Sequence, residues 1–202
     1  MPFIDVISPV DASGKLERIY TLVKGPRGQV DMVLQVHSLR PHTLEGHMAL
    51  YRSVLHHTAN KLPAWFLEAI GVLVSRINAC EYCDLHHSEG LRKLLNNTDM
   101  SFEDYSSALG KAEPAEPFNR QQQAALAYAA QLTRAPGSVT QADIDLLKEL
   151  GLSDGEILEI NQVASYFAYA NRTVTGLGVT IGSEALGLSP QSGDGREGWQ
   201  HD

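Results

Sequence analysis

Cysteine is scarce in this 202-residue chain: there are two, Cys80 and Cys83. Two thiols make no disulfide framework, and a chain this long buries roughly 70% of its unfolded surface, so neither a disulfide nor a structural metal is needed for stability. Aromatics make up only 7% of a chain that is 43% hydrophobic, the apolar content of one ordinary globular domain. Basic side chains are outnumbered, 16 to 24, which gives a formal charge of −8. They are also scattered, which argues against a nucleic-acid partner, whose phosphates require clustered Lys and Arg. Long apolar runs are missing as well. The longest, Ala69 to Val74, falls far short of the roughly 20 residues that cross a bilayer. The opening MPFIDVISPVDASGKLERIY has no basic start, apolar core or small-residue cleavage site. A soluble, cytoplasmic protein is expected, in which two cysteines are more plausibly reactive or metal-binding than structural.

The chain reads as all-α, a compact helical bundle, because nearly every segment carries the three- and four-residue apolar spacing of a helix. Leu16, Ile19, Tyr20 and Val23 form one amphipathic stretch closed by Gly25 and Pro26. A second is expected from about Val30 to Leu39, stopped by Pro41. Leu44, Met48, Tyr51 and Leu55 mark a helix running towards Asn60, and Pro63 opens another through about Asn78. The next spans Cys80 to Leu95, and a short one covers Ser101 to Leu109 before the connection KAEPAEP. Helix resumes near Arg120. Thr140 with Asp143 and Ser153 with Glu156 fit capping boxes, and Gly151 fits a C-terminal cap between them. Sliding the chain by 90 residues sets Leu67, Ile70, Val74 and Ile77 on Ile157, Ile160, Ala164 and Phe167, the pattern of a possible duplicated helical unit. Residues 1–188 are expected as a single domain and 189–202, rich in glycine and poor in apolar residues, as a disordered tail.

The chemistry concentrates in residues 67–95. On a helix beginning near Cys80, steps of about 100° bring Cys80, Cys83 and His87 within about 60° of one another. Cys80 falls in the first turn, where free backbone N–H groups and the helix dipole favour a thiolate. His87 follows Cys83 by four residues, close enough to take its proton directly or through one water. Cys83 is therefore assigned as the thiol served by the base, and Cys80 as its resolving partner. A thiolate that attacks a peroxide O–O bond becomes a sulfenic acid, which a second thiol nearby converts to a disulfide. Glu68 sits among Leu67, Ala69 and Ile70, where burying a carboxylate is costly unless it is paired. Pairing with His87 completes a Glu68, His87, Cys83 proton relay.

Glu68, Cys80, Cys83 and His87 together reproduce the E-x11-C-x2-C-x3-H spacing, and in this the chain resembles the alkylhydroperoxidase D-like enzymes of the carboxymuconolactone decarboxylase-like superfamily. SLRP at 38–41, LAYAAQLTRAP at 126–136 and SYFAYANRTVTGLGV at 165–179 resemble its longer, peroxidase-related branch, and the likeness spans roughly residues 15–182. The resemblance implies an all-helical homo-oligomer (trimer, hexamer or dimer) that reduces hydroperoxides through a CxxC disulfide. Electrons would come from a dithiol or a lipoyl-bearing protein. No metal or organic cofactor is expected. One position departs from the pattern: the family's best-studied members have His before the second Cys, where this chain has Tyr82. With an ordinary pKa of about 10, a tyrosine is no base near neutral pH. His86, one position off the motif's face, takes no role.

Other readings compete with this one. Both cysteines could be small buried apolar residues, or Cys80, Cys83, His87 and Glu68 could hold zinc, although no second Cys/His pair is present. A lactone decarboxylase of the same superfamily has no need of two thiols on one face. A non-enzymatic, redox-sensing or zinc-binding helical oligomer is the remaining alternative. His37, His42, His47, His56, His57 and His201 are expected as solvated or core-satisfied, with His47 the one positioned to face the site. Trp65, Phe66, Tyr166, Phe167 and Tyr169 read as core or subunit interface, and Asn171 and Arg172 as structural.

Overall fold

A helix that is apolar on every side has to lie inside its protein, and one such helix organises this chain. In the computed structural model, which describes residues 2–25, 28–96, 98–110, 115–182 and 185–187, every residue from Phe66 to Ser75 is buried. That run belongs to α4 (Ala64–Ile77). Before it come α1 (Gly14–Val23), α2 (Met32–Gln35) and α3 (Pro41–Tyr51), the last continued by one turn of π-helix over Arg52–His56. After it come α5 (Glu81–Leu95), α6 (Phe102–Leu109), α7 (Arg120–Arg134), α8 (Gln141–Glu149) and α9 (Asp154–Gly176). Among the described residues there is no strand, so the chain is all-α as its spacing predicts. No helix among them is long and apolar enough to cross a membrane.

Local signals set most boundaries. Both predicted capping boxes form, Thr140 with Asp143 and Ser153 with Glu156. Asn119 and Gln122 make a third at the start of α7. Gly151 ends α8 with φ +93°, a conformation glycine adopts without steric cost. The expected helix over Val30–Leu39 shortens to α2 because its last residues find other partners. Ser38 Oγ accepts from the Ile7 amide at 2.9 Å, and the His37 ring bonds Thr43 Oγ1 at 2.9 Å. Arg40, preceding Pro41, is forced to φ −143°, and Pro41 then starts α3.

The apolar side chains gather in three groups. The largest joins α4 to α5, α6, α7 and α9. Each fully buried leucine or isoleucine there, such as Leu67, Ile70 or Ile160, contributes about 1.5–3 kcal/mol. A second group ties α1 to α2 and α3 through Leu16, Ile19, Leu34 and Leu44. The third, around Val36, Tyr82, Val174 and Val179, contains both cysteines. The tail expected over 189–202 lies outside the described residues.

Candidate functional site

The connection from α4 to α5 places the first thiol. The amide of Cys80 donates to Ser75 O at 2.9 Å and that of Ala79 to Arg76 O at 3.1 Å, the paired bonds of a Schellman ending. Ala79 occupies the left-handed position of that ending, with φ +53°, where glycine is the usual residue. The chain therefore reverses within two residues, and Cys80 becomes the N-cap of α5, just ahead of the first turn where it was expected. Arg76 locks the corner: its Nε donates to both carboxylate oxygens of Asp84 at 3.1 Å, and its guanidinium also reaches Ser106 O at 2.6 Å.

Glu68 is the charged residue inside the otherwise apolar face of α4, and only 3% of it is exposed. Its Oε2 accepts from His87 Nδ1 at 2.6 Å, so the partner expected for this buried carboxyl is the one present. The opposite edge of the His87 ring is then left with the lone-pair nitrogen, Nε2. Phe167 holds the ring edge-on, with centroids 4.5 Å apart. Gly71 makes room for Phe167, because a Cβ at that position would overlap its ring. Glu68, His87 and Cys83 line one cavity of about 80 Å³ together with His47, Tyr51 and Tyr166, enough for several water-sized groups. Among the described residues no hydrogen bond joins His87 to Cys83. Ring and thiol face a shared space, so the link between them runs through whatever occupies it.

The two thiols are free, and their sulfurs lie 2.9 Å apart, against about 2.05 Å in a disulfide. They differ sharply in acidity. Cys80 is held at about 6, chiefly because the Cys83 thiol donates to it, with further hydrogen bonds from the Cys83 amide, Thr175 and Asn171 outweighing burial. Cys83 moves the opposite way. Its proton is retained by donation to Cys80, by burial and by the charge of Cys80. Asn171, 1% exposed, anchors this polar group: it accepts from Asn78 Nδ2 at 2.9 Å and donates to Ser75 Oγ at 3.1 Å. The sulfurs also look into different spaces. Cys83 faces the cavity with Glu68 and His87, whereas Cys80 lines a broader depression with Phe3, Val174, Thr175 and Ile181.

Of the predicted site residues, Glu68, Cys83 and His87 share one cavity, and Cys80 touches Cys83 from the far side. A four-ligand zinc site would need all four around one point. Among the described residues no three His, Cys, Asp or Glu side chains converge in that way. Other expectations change. His86 does line the cavity, its ring stacked on Tyr82 at 4.5 Å. Tyr82, in the place of the family histidine, accepts from the Val33 amide at 3.3 Å and so fixes the start of α2 against α5. His37 and His47 are buried and His56 is half-buried, but each keeps a ring nitrogen without a hydrogen-bond partner, so they are not satisfied core histidines. Tyr51 and Tyr166 are cavity walls as well as core. A single polar residue within the apolar stripe Phe167, Ala170, Val174 is the sequence signal that marks Asn171.

No protein-family model matches the chain, and no curated protein matches its sequence. Solved structures do match its fold. A peroxidase-related protein from Silicibacter sp. TM1040 shares 24% identity over 90% of each chain with a TM-score of 0.73. Another, described as an alkylhydroperoxidase AhpD core, from Ralstonia eutropha JMP134, shares 21% identity over 90% of this chain and 93% of its own, at 0.75. The debrominase Bmp8, solved with 2,3,4-tribromopyrrole, shares 18% identity over 91% and 95%, at 0.69. The chain has the helical fold of the alkylhydroperoxidase D-like proteins.

Proposed function

We propose that this protein is a thiol-dependent peroxidase that reduces organic hydroperoxides through a Cys80–Cys83 disulfide. The observation that carries the reading is the 2.6 Å Glu68–His87 pair opening on the same cavity as Cys83, with a second thiol 2.9 Å behind it. In the resting site one proton is shared between the sulfurs and resides on Cys83. Its transfer to His87 through the bound hydroperoxide frees the Cys83 thiolate to attack the terminal oxygen. The O–O bond breaks, Cys83 becomes a sulfenic acid, and His87 supplies the proton that turns the departing alkoxide into an alcohol. The Cys80 thiolate then attacks the sulfenic sulfur, and the displaced hydroxide takes up one proton from solvent and leaves as water as the disulfide forms. Glu68 holds the His87 tautomer and stabilises the ring while it is charged. A dithiol, free or lipoyl-bound on a protein, returns two electrons and two protons. Turnover of cumene hydroperoxide with dihydrolipoamide is expected to vanish in Cys83→Ser and in Cys80→Ser; full activity in either variant would rule the cycle out.

A second reading has one observation behind it. Tyr51, Tyr82 and Tyr166 give the cavity aromatic walls, and a debrominase of the same fold has been solved with a small brominated heteroaromatic. Reductive debromination uses the same thiols: the carbon–bromine bond is replaced by carbon–hydrogen, bromide and a proton depart, and two thiols become a disulfide. Bromide release from 2,3,4-tribromopyrrole, with no hydroperoxide turnover, would favour it.

A further inference from the structure

Two tyrosines of the cavity wall carry hydroxyls that the thiol relay does not use. Tyr51 ends α3 where the chain widens into the π-turn, and its ring packs against both the α1–α3 group and the central group. Tyr166 stands on α9 with its ring centroid 5.7 Å from that of Tyr51, and both residues line the space that holds Glu68, Cys83 and His87. Among the described residues neither hydroxyl makes a hydrogen bond, and neither is sealed inside the protein as Nδ1 of His47 and Nε2 of His56 are. A buried phenol normally finds a partner. Tyr20 donates to Ile7 O at 3.0 Å, and Tyr128 accepts from Asn161 Nδ2 at 2.9 Å. Tyr82, the third tyrosine of the cavity wall, accepts from the Val33 amide at 3.3 Å.

Both hydroxyls keep their protons. Burial, then the charge of Glu68, raises Tyr51 well above the ordinary tyrosine value, and burial does the same for Tyr166, with Tyr51, Cys83 and Glu68 as its electrostatic neighbours. Each is therefore a neutral donor that opens on the cavity. Cleavage of a hydroperoxide leaves charge on the oxygen that carries the alkyl group. That oxygen is one bond beyond the terminal oxygen attacked by Cys83, so it lies in the same space. An alkoxide is a strong base, and its formation is slow unless fixed donors meet the charge as it grows. Between aromatic walls such donors act more strongly than in water.

We propose that Tyr51 and Tyr166 are catalytic residues whose hydroxyls donate hydrogen bonds to the departing oxygen of the hydroperoxide. The inference rests on the peroxidase reading and adds to it the groups that stabilise the transition state. The phenols remain protonated throughout. An electron pair of the Cys83 thiolate forms the S–O bond, the O–O pair leaves with the alkyl-bearing oxygen, and the proton that completes the alcohol still comes from His87.

The test follows thiol loss in a single turnover of the reduced full chain with one equivalent of cumene hydroperoxide or of peracetic acid. The peracid departs as a carboxylate, whose charge is delocalised and needs little help. Tyr51→Phe and Tyr166→Phe keep both rings in place, so denaturant midpoints should be unaltered. Oxidation by cumene hydroperoxide is expected to slow about tenfold in each variant and about 100-fold in the double variant, the scale of lost oxyanion donors. Peracetic acid should oxidise all three variants within about twofold of the unsubstituted rate. A merely structural role would slow both oxidants alike. If the double variant keeps the unsubstituted ratio of the two rates, whether both fall or neither does, the inference is overturned and the peroxidase stands. If the unsubstituted chain loses no thiol with either oxidant, the peroxidase reading falls and the inference falls with it. Should the double variant fail to fold, the single variants decide by the same ratio, and an unchanged ratio in both overturns the inference.

Discussion

Cys80 and Cys83 are three residues apart in position and opposite in acidity, because one proton serves both sulfurs and the surroundings favour charge on Cys80. Thr175 and Asn171 add hydrogen bonds to the Cys80 side. The consequence is a titration near pH 6: thiolate absorbance at 240 nm should rise through that value as pH increases. In Cys83→Ala the principal donor is lost, so the midpoint should move upward, towards the ordinary thiol range; an unchanged midpoint would mean that Cys83 does not hold the charge on Cys80. Glu68 acts one bond further out. Glu68→Gln keeps the shape of the side chain and an oxygen acceptor but removes the carboxylate charge beside His87, and the rate of peroxide reduction should fall about 100-fold, the scale of general acid–base assistance. Far-UV dichroism should be unaltered. A variant with normal turnover would place the relay elsewhere.

Two close fits at the level of helices hold these residues in place. Phe167 of α9 lies where a Cβ of Gly71 on α4 would be, and the same ring supports His87 on α5. Gly71→Ala therefore forces α9 away from α4. It should destabilise the protein by about 1–3 kcal/mol, read from denaturant unfolding, and slow peroxide turnover as well, because His87 loses its support. The α4–α5 corner offers the opposite effect. Ala79 holds a left-handed conformation at φ +53°, and Ala79→Gly should stabilise by about 1 kcal/mol in the same assay.

The helices show which features can be read from sequence. α4 and α5 follow from apolar spacing, α8 and α9 from capping boxes, and the Glu68–His87 bond from the cost of leaving a carboxylate unpaired among Leu67, Ala69 and Ile70. Those signals are local. α2 was over-extended because Ser38 and His37 are taken by Ile7 and Thr43, and the contact with Ile7 is long-range. The sequence places His47 towards the site and Asn171 as structural, and both hold, but their partners are not legible in it: those depend on which helix packs opposite, and that is decided by the fold as a whole. The acidity of Cys80 was legible from its place at a helix start. Its separation from the His87 cavity was not, because the Schellman corner moved it out of the first turn.

Across the whole molecule, the site lies where the three apolar groups meet. The α1–α3 group contributes His47, Met48 and Leu34 to the cavity, the central group contributes Glu68 and Tyr166, and the cysteine group closes it with Tyr82 and Cys83. Loosening any one of them opens the cavity to water, so stability and turnover should fall together in variants far from the thiols. The two sulfurs stand between the Glu68–His87 cavity and a broader depression. That arrangement suits a peroxide arriving on one side of the pair and a reductant on the other.

The central claim is that Cys80 and Cys83 cycle through an intramolecular disulfide driven by hydroperoxide. Its most direct test is native thiol counting and intact mass on the full chain, before and after one equivalent of cumene hydroperoxide. The account predicts loss of both thiols with a decrease of about two mass units, reversed by a dithiol. Two thiols still free and an unchanged mass would contradict it.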